Sequence, residues 1–167
     1  WCACNSSGVV GNASATEEAI LKMIEQFGSD FHKLRDEFLP EPITRFQFTS
    51  RRKKMSTILQ NVSDTETGYS RRLHTKGAGE IVLRLCTHYI DESGEKSELT
   101  DEMYEHIVKT VITEYGYKSM RTICLAYKDL EENEGGVTHE DMAEDGFNRQ
   151  VELNGLTCLG IVGIRDV

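Results

Sequence analysis

The sequence predicts an α+β fold, a mostly antiparallel β-sheet with α-helices packed on it. Three observations point there. Apolar residues at helical spacing come first in the chain and return between later strand-like runs. Several of the strand-like runs are joined by short connections, which favours antiparallel pairing. Two apolar, β-branched runs, Thr122 to Tyr127 and Leu156 to Ile164, read as central strands. A chain of 167 residues suits one domain, residues 1–167, with a real hydrophobic core.

The elements follow in order. Ala19, Ile20, Met23, Ile24 and Phe27 recur at helical spacing from Thr16 to Phe27. Ser14, with Glu17 three residues later, has the form of a capping box and sets the start. A shorter helix is expected over Phe31 to Phe38, and Pro40 and Pro42 then force an extended chain. Ile43 to Phe48 alternates as a half-buried strand does. Met55 to Leu59 and Tyr69 to Thr75 are further strands, with polar, turn-like Asn61 to Gly68 between them. Ala78 to Cys86 reads as a helix burying Ile81, Val82 and Leu85, and Asp91 to Lys96 as a turn. Thr100 starts the longest helix, with Met103, Ile107, Val111 and Tyr115 in one stripe, Val108 and Ile112 beside it, and Gly116 as its C-cap.

Composition narrows function. Nineteen Lys and Arg against 28 Asp and Glu give a formal charge of −9. A general nucleic-acid binder needs the opposite balance, although one local basic pocket remains compatible with it. No apolar run approaches the ~20 residues that span a bilayer. No basic start followed by an apolar block marks a signal peptide. A soluble, cytosolic domain is expected, and the abrupt ends at Trp1 and Val167 suit a piece of something larger. Cys86, Cys124 and Cys158 sit in apolar runs, as reduced core cysteines do, and Cys2 and Cys4 form a lone pair without zinc spacing. The sequons at Asn5, Asn12 and Asn61 are read as chance matches. Asp129 to Asp145 carries eight acidic residues and no Lys or Arg, and lacks the ligand pattern of a calcium-binding EF-hand. It is expected to be a solvated loop.

No nucleophile with its base, no Walker loop and no metal spacing among His32, His74, His88, His106 and His139 is found. Two segments stand out. Phe48-Thr49-Ser50-Arg51-Arg52-Lys53-Lys54-Met55-Ser56 sets four consecutive cations beside an aromatic ring in an otherwise acidic chain. Such a ring can stack on a purine and a nearby Lys can meet phosphate, whereas charge alone suggests a solvated hairpin turn. Lys76-Gly77-Ala78-Gly79-Glu80 lies where a strand is expected to meet a helix, and its small residues permit close backbone approach to a ligand. The alternative is an ordinary helix start with a snorkelling Lys.

Taken together and in order, the motifs resemble a family. Lys76 to Glu80 resembles the KGA-x-E signature of the nucleotide domain of P-type ATPases, and Phe48 to Ser56 resembles that family's F-x-S-x-R-K-x-M-S strand. Gly11-Asn12 followed by Thr16-Glu17-Glu18-Ala19-Ile20-Leu21 looks like its GN-x-T-E-x-A-L helix start. Met120 to Asp129 is similar to L-R-T-I-C-I-A-Y-R-D of the plasma-membrane type calcium pumps, and Leu156 to Asp166 resembles the strand leading back to the phosphorylation domain.

The resemblance implies roles. Phe48 would stack on adenine, and Glu17 with Thr16 would accept from its exocyclic amine. Lys76 would line the deep end over a floor of Gly77 and Ala78. Lys53 and Arg121 would meet the phosphates, with Met55 and Ile123 as apolar wall. No catalytic residue and no metal ligand is assigned. The implied ligand is ATP, as Mg-ATP in the full pump, and the implied partners are the pump's phosphorylation and actuator domains. A monomer at the cytoplasmic face, without nucleic acid or direct membrane contact, is expected. Gly79, where calcium pumps more often have Ser or Pro, is expected to loosen the helix start. Lys54 in place of a usual Ser, with Arg51, is expected to make the phosphate end more basic. The D-K-T-G-T and T-G-E motifs are absent from the sequence, so ATP binding without turnover is expected of this chain. A free-standing nucleotide enzyme and a protein-interaction module using the acidic segment are the readings from other classes.

Overall fold

The computed structural model describes residues 5–6, 11, 13–39, 44–60, 71–130 and 150–165. Helix α1 (Ala15–Gln26) starts at Ser14, whose Oγ accepts from the Glu17 N–H at 3.3 Å. Glu17 and Glu18 in the first turn suit the positive end of the helix dipole. Gly28, at φ 79°, ends it, its N–H donating to the Glu25 carbonyl at 2.9 Å. Helix α2 (Phe31–Phe38) is capped by Asp30, which accepts from the His32 N–H at 2.9 Å.

The strands are β1 (Thr44–Phe46), β2 (Lys54–Gln60), β3 (Arg71–Ala78), β4 (Cys86–Ile90), β5 (Lys96–Glu98), β6 (Met120–Leu130) and β7 (Leu156–Arg165). They form one sheet in the order β1-β2-β3-β6-β7-β4-β5. Every pairing is antiparallel except β4 with β7. The expected α+β architecture with a mostly antiparallel sheet is therefore the one observed. Helix α3 (Gly79–Leu83) follows β3 directly. The long helix runs through α4 (Asp101–Ile107), a π-helical stretch (Val108–Ile112) and α5 (Thr113–Tyr117), capped by Thr100.

The sheet is covered on both faces. On one, Ile20, Leu21 and Ile24 of α1 and Phe31 of α2 pack against Ile123, with Leu125, Val162 and Ile164 beside them. On the other, Phe46, Ile58, Leu73, Cys124, Ala126, Leu156 and Cys158 meet Val82 and Leu83 of α3 and Ile112 of the long helix. Successive β6 residues supply opposite cores, Ile123 to the first and Cys124 to the second, as strand alternation requires.

Several boundaries differ from expectation. The helix expected over Ala78 to Cys86 stops at Leu83, because Cys86 opens β4. Val82 and Leu83 are buried and Ile81 faces out. The Asp91 turn exists, with Asp91 Oδ1 accepting from the Ser93 N–H at 2.8 Å, and it joins two strands, β4 and β5. Phe27 is exposed, and Leu21 takes the buried place expected of it. The long helix runs past Gly116 to Tyr117, and Ser119, at φ 55°, turns the chain out. Asp129 and Leu130 belong to β6; the rest of the acidic segment, Cys2, Cys4, Asn12, Asn61, Pro40 and Pro42 lie outside the described residues.

Cys86, Cys124 and Cys158 are free and buried, as expected of core thiols. Asn5 is buried, its Nδ2 donating to the Met55 carbonyl at 3.3 Å and its Oδ1 accepting from Thr57 Oγ1 at 2.8 Å, so its sequon is closed to glycosylation in the folded chain. Among the described residues, no helix is long and apolar enough to cross a membrane.

His74 on β3 is buried against Tyr127, with ring centroids 6.3 Å apart. Burial, with the Arg72 charge adding to it, holds its imidazole well below the ordinary value. A depressed histidine stays neutral in the fold and takes up its proton on unfolding. Its contribution is complete above the unfolded pKa, about 6.5, and is lost as pH falls towards the folded value. Unfolding free energies measured by denaturant titration from pH 7 down to pH 5 are expected to fall at up to about 1.4 kcal/mol per pH unit from this one group. His74→Gln should flatten the slope; an identical slope in the variant would place the sensitivity elsewhere.

Candidate functional site

The first face of the sheet carries a cleft of about 740 Å³ at the start of α1. Register explains its floor. Met55 pairs with Lys76 across β2 and β3, and Ala78 pairs with Ile123 across β3 and β6, so these four side chains share one face. Thr16 and Glu17 border the cleft from the first turn of α1. Phe48 and Lys53 reach it from the segment between β1 and β2, and Arg121 from the start of β6.

All ten sequence-derived positions, Thr16, Glu17, Phe48, Lys53, Met55, Lys76, Gly77, Ala78, Arg121 and Ile123, line this cleft. Ser14, Gln47 and Thr122 line it too and were not anticipated. Ser14 is accounted for in the sequence by its cap, and Thr122 by its place at the start of a β-branched central strand. Gln47 carries no local signal beyond adjacency to Phe48.

Among the described residues, the cleft is lined by three cations, Lys53, Lys76 and Arg121, against one carboxylate, Glu17. It is an electropositive hollow in a chain of net charge −9. Lys76 is buried, its Nζ 3.1 Å from Glu17 Oε1 and 2.9 Å from Ser6 Oγ. A buried ammonium needs such partners, and the contacts hold it at the deep end. Phe48 is the reverse: 56% of its surface is exposed, while Phe46 is 1% exposed. Strict alternation would put both rings on one face. Strand β1 ends at Phe46, which joins the core of the second face, and the chain then swings Phe48 to the cleft.

Lys53 has φ 56°, an uncommon conformation for a side-chain-bearing residue. Two backbone bonds hold it there: its N–H donates to the Thr49 carbonyl, and its carbonyl accepts from the Ala78 N–H, both at 2.9 Å. That geometry also explains Gly77. A Cβ there would lie 2.7 Å from Lys54 Cα and closer still to the Lys53 carbonyl. The glycine is required by the protein's own backbone, a different reason from the ligand approach expected of it. Gly79 is likewise tightly seated, since a Cβ would lie 2.8 Å from Thr122 Oγ1 and 3.3 Å from Ile112 Cδ1. It fits α3 against β6.

The four-cation run splits in two. Lys53 borders the cleft and Arg51 is exposed. Arg52 and Lys54 are buried and face Glu152, with Arg52 Nη2 2.5 Å and Lys54 Nζ 3.8 Å from its Oε2. The expectation that Lys54 adds charge to the phosphate end is therefore corrected: on β2 it points away from Met55 and the cleft, into an ion pair.

The cleft thus brings an exposed aromatic ring, Phe48, and the cations Lys53, Lys76 and Arg121 together on one face of a sheet flanked by helices. The family model for P-type ATPase, cytoplasmic domain N, matches residues 3–167, and the chain belongs to that family. It is 34% identical over 158 residues to plasma membrane calcium-transporting ATPase 4 of Bos taurus, covering 94% of this chain and 12% of that protein. It is 35% identical over 151 residues to calcium-transporting ATPase 2, plasma membrane-type, of Arabidopsis thaliana, covering 90% and 13%. Against human plasma membrane calcium-transporting ATPase 1 the identity is 35% over 158 residues, covering 94% and 12%. The chain thus spans about an eighth of the length of these relatives.

Proposed function

We propose that the cleft binds ATP and that the chain serves as the nucleotide-binding domain of a P-type calcium-transporting ATPase. The observation that carries the reading is the exposed Phe48 ring on a cleft lined by Lys53, Lys76 and Arg121. Adenine stacks on Phe48 between the apolar walls of Met55 and Ile123. Glu17 and Thr16 face the base edge, and Lys53 and Arg121 take the phosphates. Glu17 is the only carboxylate among the described lining residues, and it is ion-paired with Lys76. Among the described residues the cleft therefore offers no magnesium ligand set of its own, and the ion's ligands would come from the phosphates and from elsewhere.

Calcium as the transported ion rests on the likeness to calcium-transporting ATPases. The phosphorylation and actuator domains are the partners, and a monomer at the cytoplasmic face, without direct membrane contact, is the form. With no D-K-T-G-T motif in the sequence, this chain binds ATP without releasing phosphate.

A cleft open to solvent, without a Walker loop, supports weak binding: a Kd near ~1 mM, about −4 kcal/mol, is expected. Titration of the labelled chain with ATP, ADP and GTP tests this by amide chemical shifts. ATP and ADP should shift Phe48, Lys53 and Lys76 similarly and GTP less, because the base contributes more than the third phosphate. No shift at Phe48 and Lys76 would rule the reading out.

A further inference from the structure

We propose that Glu152, which lies outside the cleft, is a positioning residue for it: through a buried ion pair with Arg52 it locks the turn that presents Phe48 and Lys53. The inference rests on the cleft being the nucleotide site.

Glu152 is fully buried at the end of a short 3₁₀ helix (Gln150–Glu152), just before β7. Both its oxygens lie 2.5 Å from Arg52 Nη2, and Ser56 Oγ donates to Oε1. Ser56 also bonds Thr75 Oγ1 at 2.8 Å, which ties the group to β3. Ser56 pairs with Phe46 and Thr75, on the face opposite the Met55 and Lys76 face that floors the cleft. Glu152 therefore acts from beneath the sheet and does not reach a ligand in the cleft.

Its effect passes through Arg52. The other terminal guanidinium nitrogen, Nη1, donates to the Gln47 carbonyl at 2.6 Å, and the Arg52 backbone N–H donates to Thr49 Oγ1 at 3.1 Å. One side chain thus crosses from the residue before Phe48 to the residue before Lys53. The planar fork of arginine suits this, since it satisfies carboxylate and carbonyl in fixed directions. Lys53 holds an unfavourable φ only because its surroundings fix it. With the crossing removed, the 47–53 segment is held by the two backbone bonds at Lys53 and the Thr49 side chain, and Phe48, half in solvent, loses its fixed approach to the cleft.

The test uses the chain with Glu152→Gln, Arg52→Lys and both together. ATP titrations are run at a temperature where thermal melts show each variant folded, with amide hydrogen exchange followed on the same samples. Each single variant is expected to raise the ATP Kd about tenfold and to speed exchange at Arg52 and Lys53 while β6 and β7 keep their rates. The double variant should bind no more weakly than the weaker single, as expected when two groups act as one unit. An unchanged Kd in folded Glu152→Gln, or additive losses in the double, would overturn the proposal. So would exchange that rises uniformly through the sheet. If Glu152→Gln does not fold, Arg52→Lys decides by the same two readouts. If the unaltered chain does not bind ATP, the nucleotide reading fails, and exchange at Arg52 and Lys53 alone decides whether Glu152 holds the turn.

Discussion

Phe46→Ala is expected to lower stability by about 3–5 kcal/mol, the range for deleting a buried aromatic side chain. The ring is 1% exposed and packs in the larger core with Ile58, Leu73 and Leu130. Strand β1 is only three residues long and pairs with β2 alone, so little backbone remains to hold the site once the ring is gone. Domains of this size have about 5–15 kcal/mol in total, and each kcal/mol moves the melting midpoint by roughly 2–4 °C. The midpoint should therefore drop by about 6–20 °C, read by calorimetry or circular dichroism. A drop below about 3 °C would mean that β1 contributes little to the core.

The two longest strands were legible because burial on both faces demands continuous apolar, β-branched sequence, as in Thr122 to Tyr127 and Leu156 to Ile164. Strand β4 was hidden because Cys86-Thr87-His88-Tyr89-Ile90 is half-buried, with two polar residues among its five, and because it follows α3 after only two residues. Its pairing with β7 is made across some seventy positions of sequence, and nothing local signals it. The stop of the long helix was misplaced for a similar reason. Glycine is the usual left-handed residue, but Ser119 takes that conformation here, where β6 must begin.

For the cleft, Phe48, Lys53 and Lys76 carried their own chemical signal, an aromatic and cations in an acidic chain. Glu17 and Arg121 did not. Their proximity to the cleft follows from α1 packing over β6, which periodicity alone does not predict, and only the family resemblance named them. Neither route found Glu152. A buried carboxylate is identified by its partners, and Arg52 stands 100 positions away. The same blindness produced the error at Lys54, where a run of cations was summed as though all faced one way. Alternation along β2 sends Lys54 to the opposite face from Met55.

Phe48→Ala is expected to reverse the pattern of Phe46→Ala. The ring is 56% exposed, so its removal should cost about 1 kcal/mol of stability or less, a shift of roughly 2–4 °C at most. Stacking on a base is worth roughly 1–3 kcal/mol, which is a factor of about 5–150 in Kd. Against binding near ~1 mM, such a loss moves the Kd to about 5 mM or beyond for ATP and ADP alike. Phe48→Trp keeps a stacking face and should retain binding, which separates loss of the ring from disturbance of the turn. Lys53 and Arg121 remain in place in all three chains, so phosphate contacts are held constant across the comparison. The measurement is a shift titration of the unaltered chain, Phe48→Ala and Phe48→Trp, each beside its melting curve. If Phe48→Ala unfolds the domain, or folds and binds ATP as before, the ring is part of the core and does not hold the base.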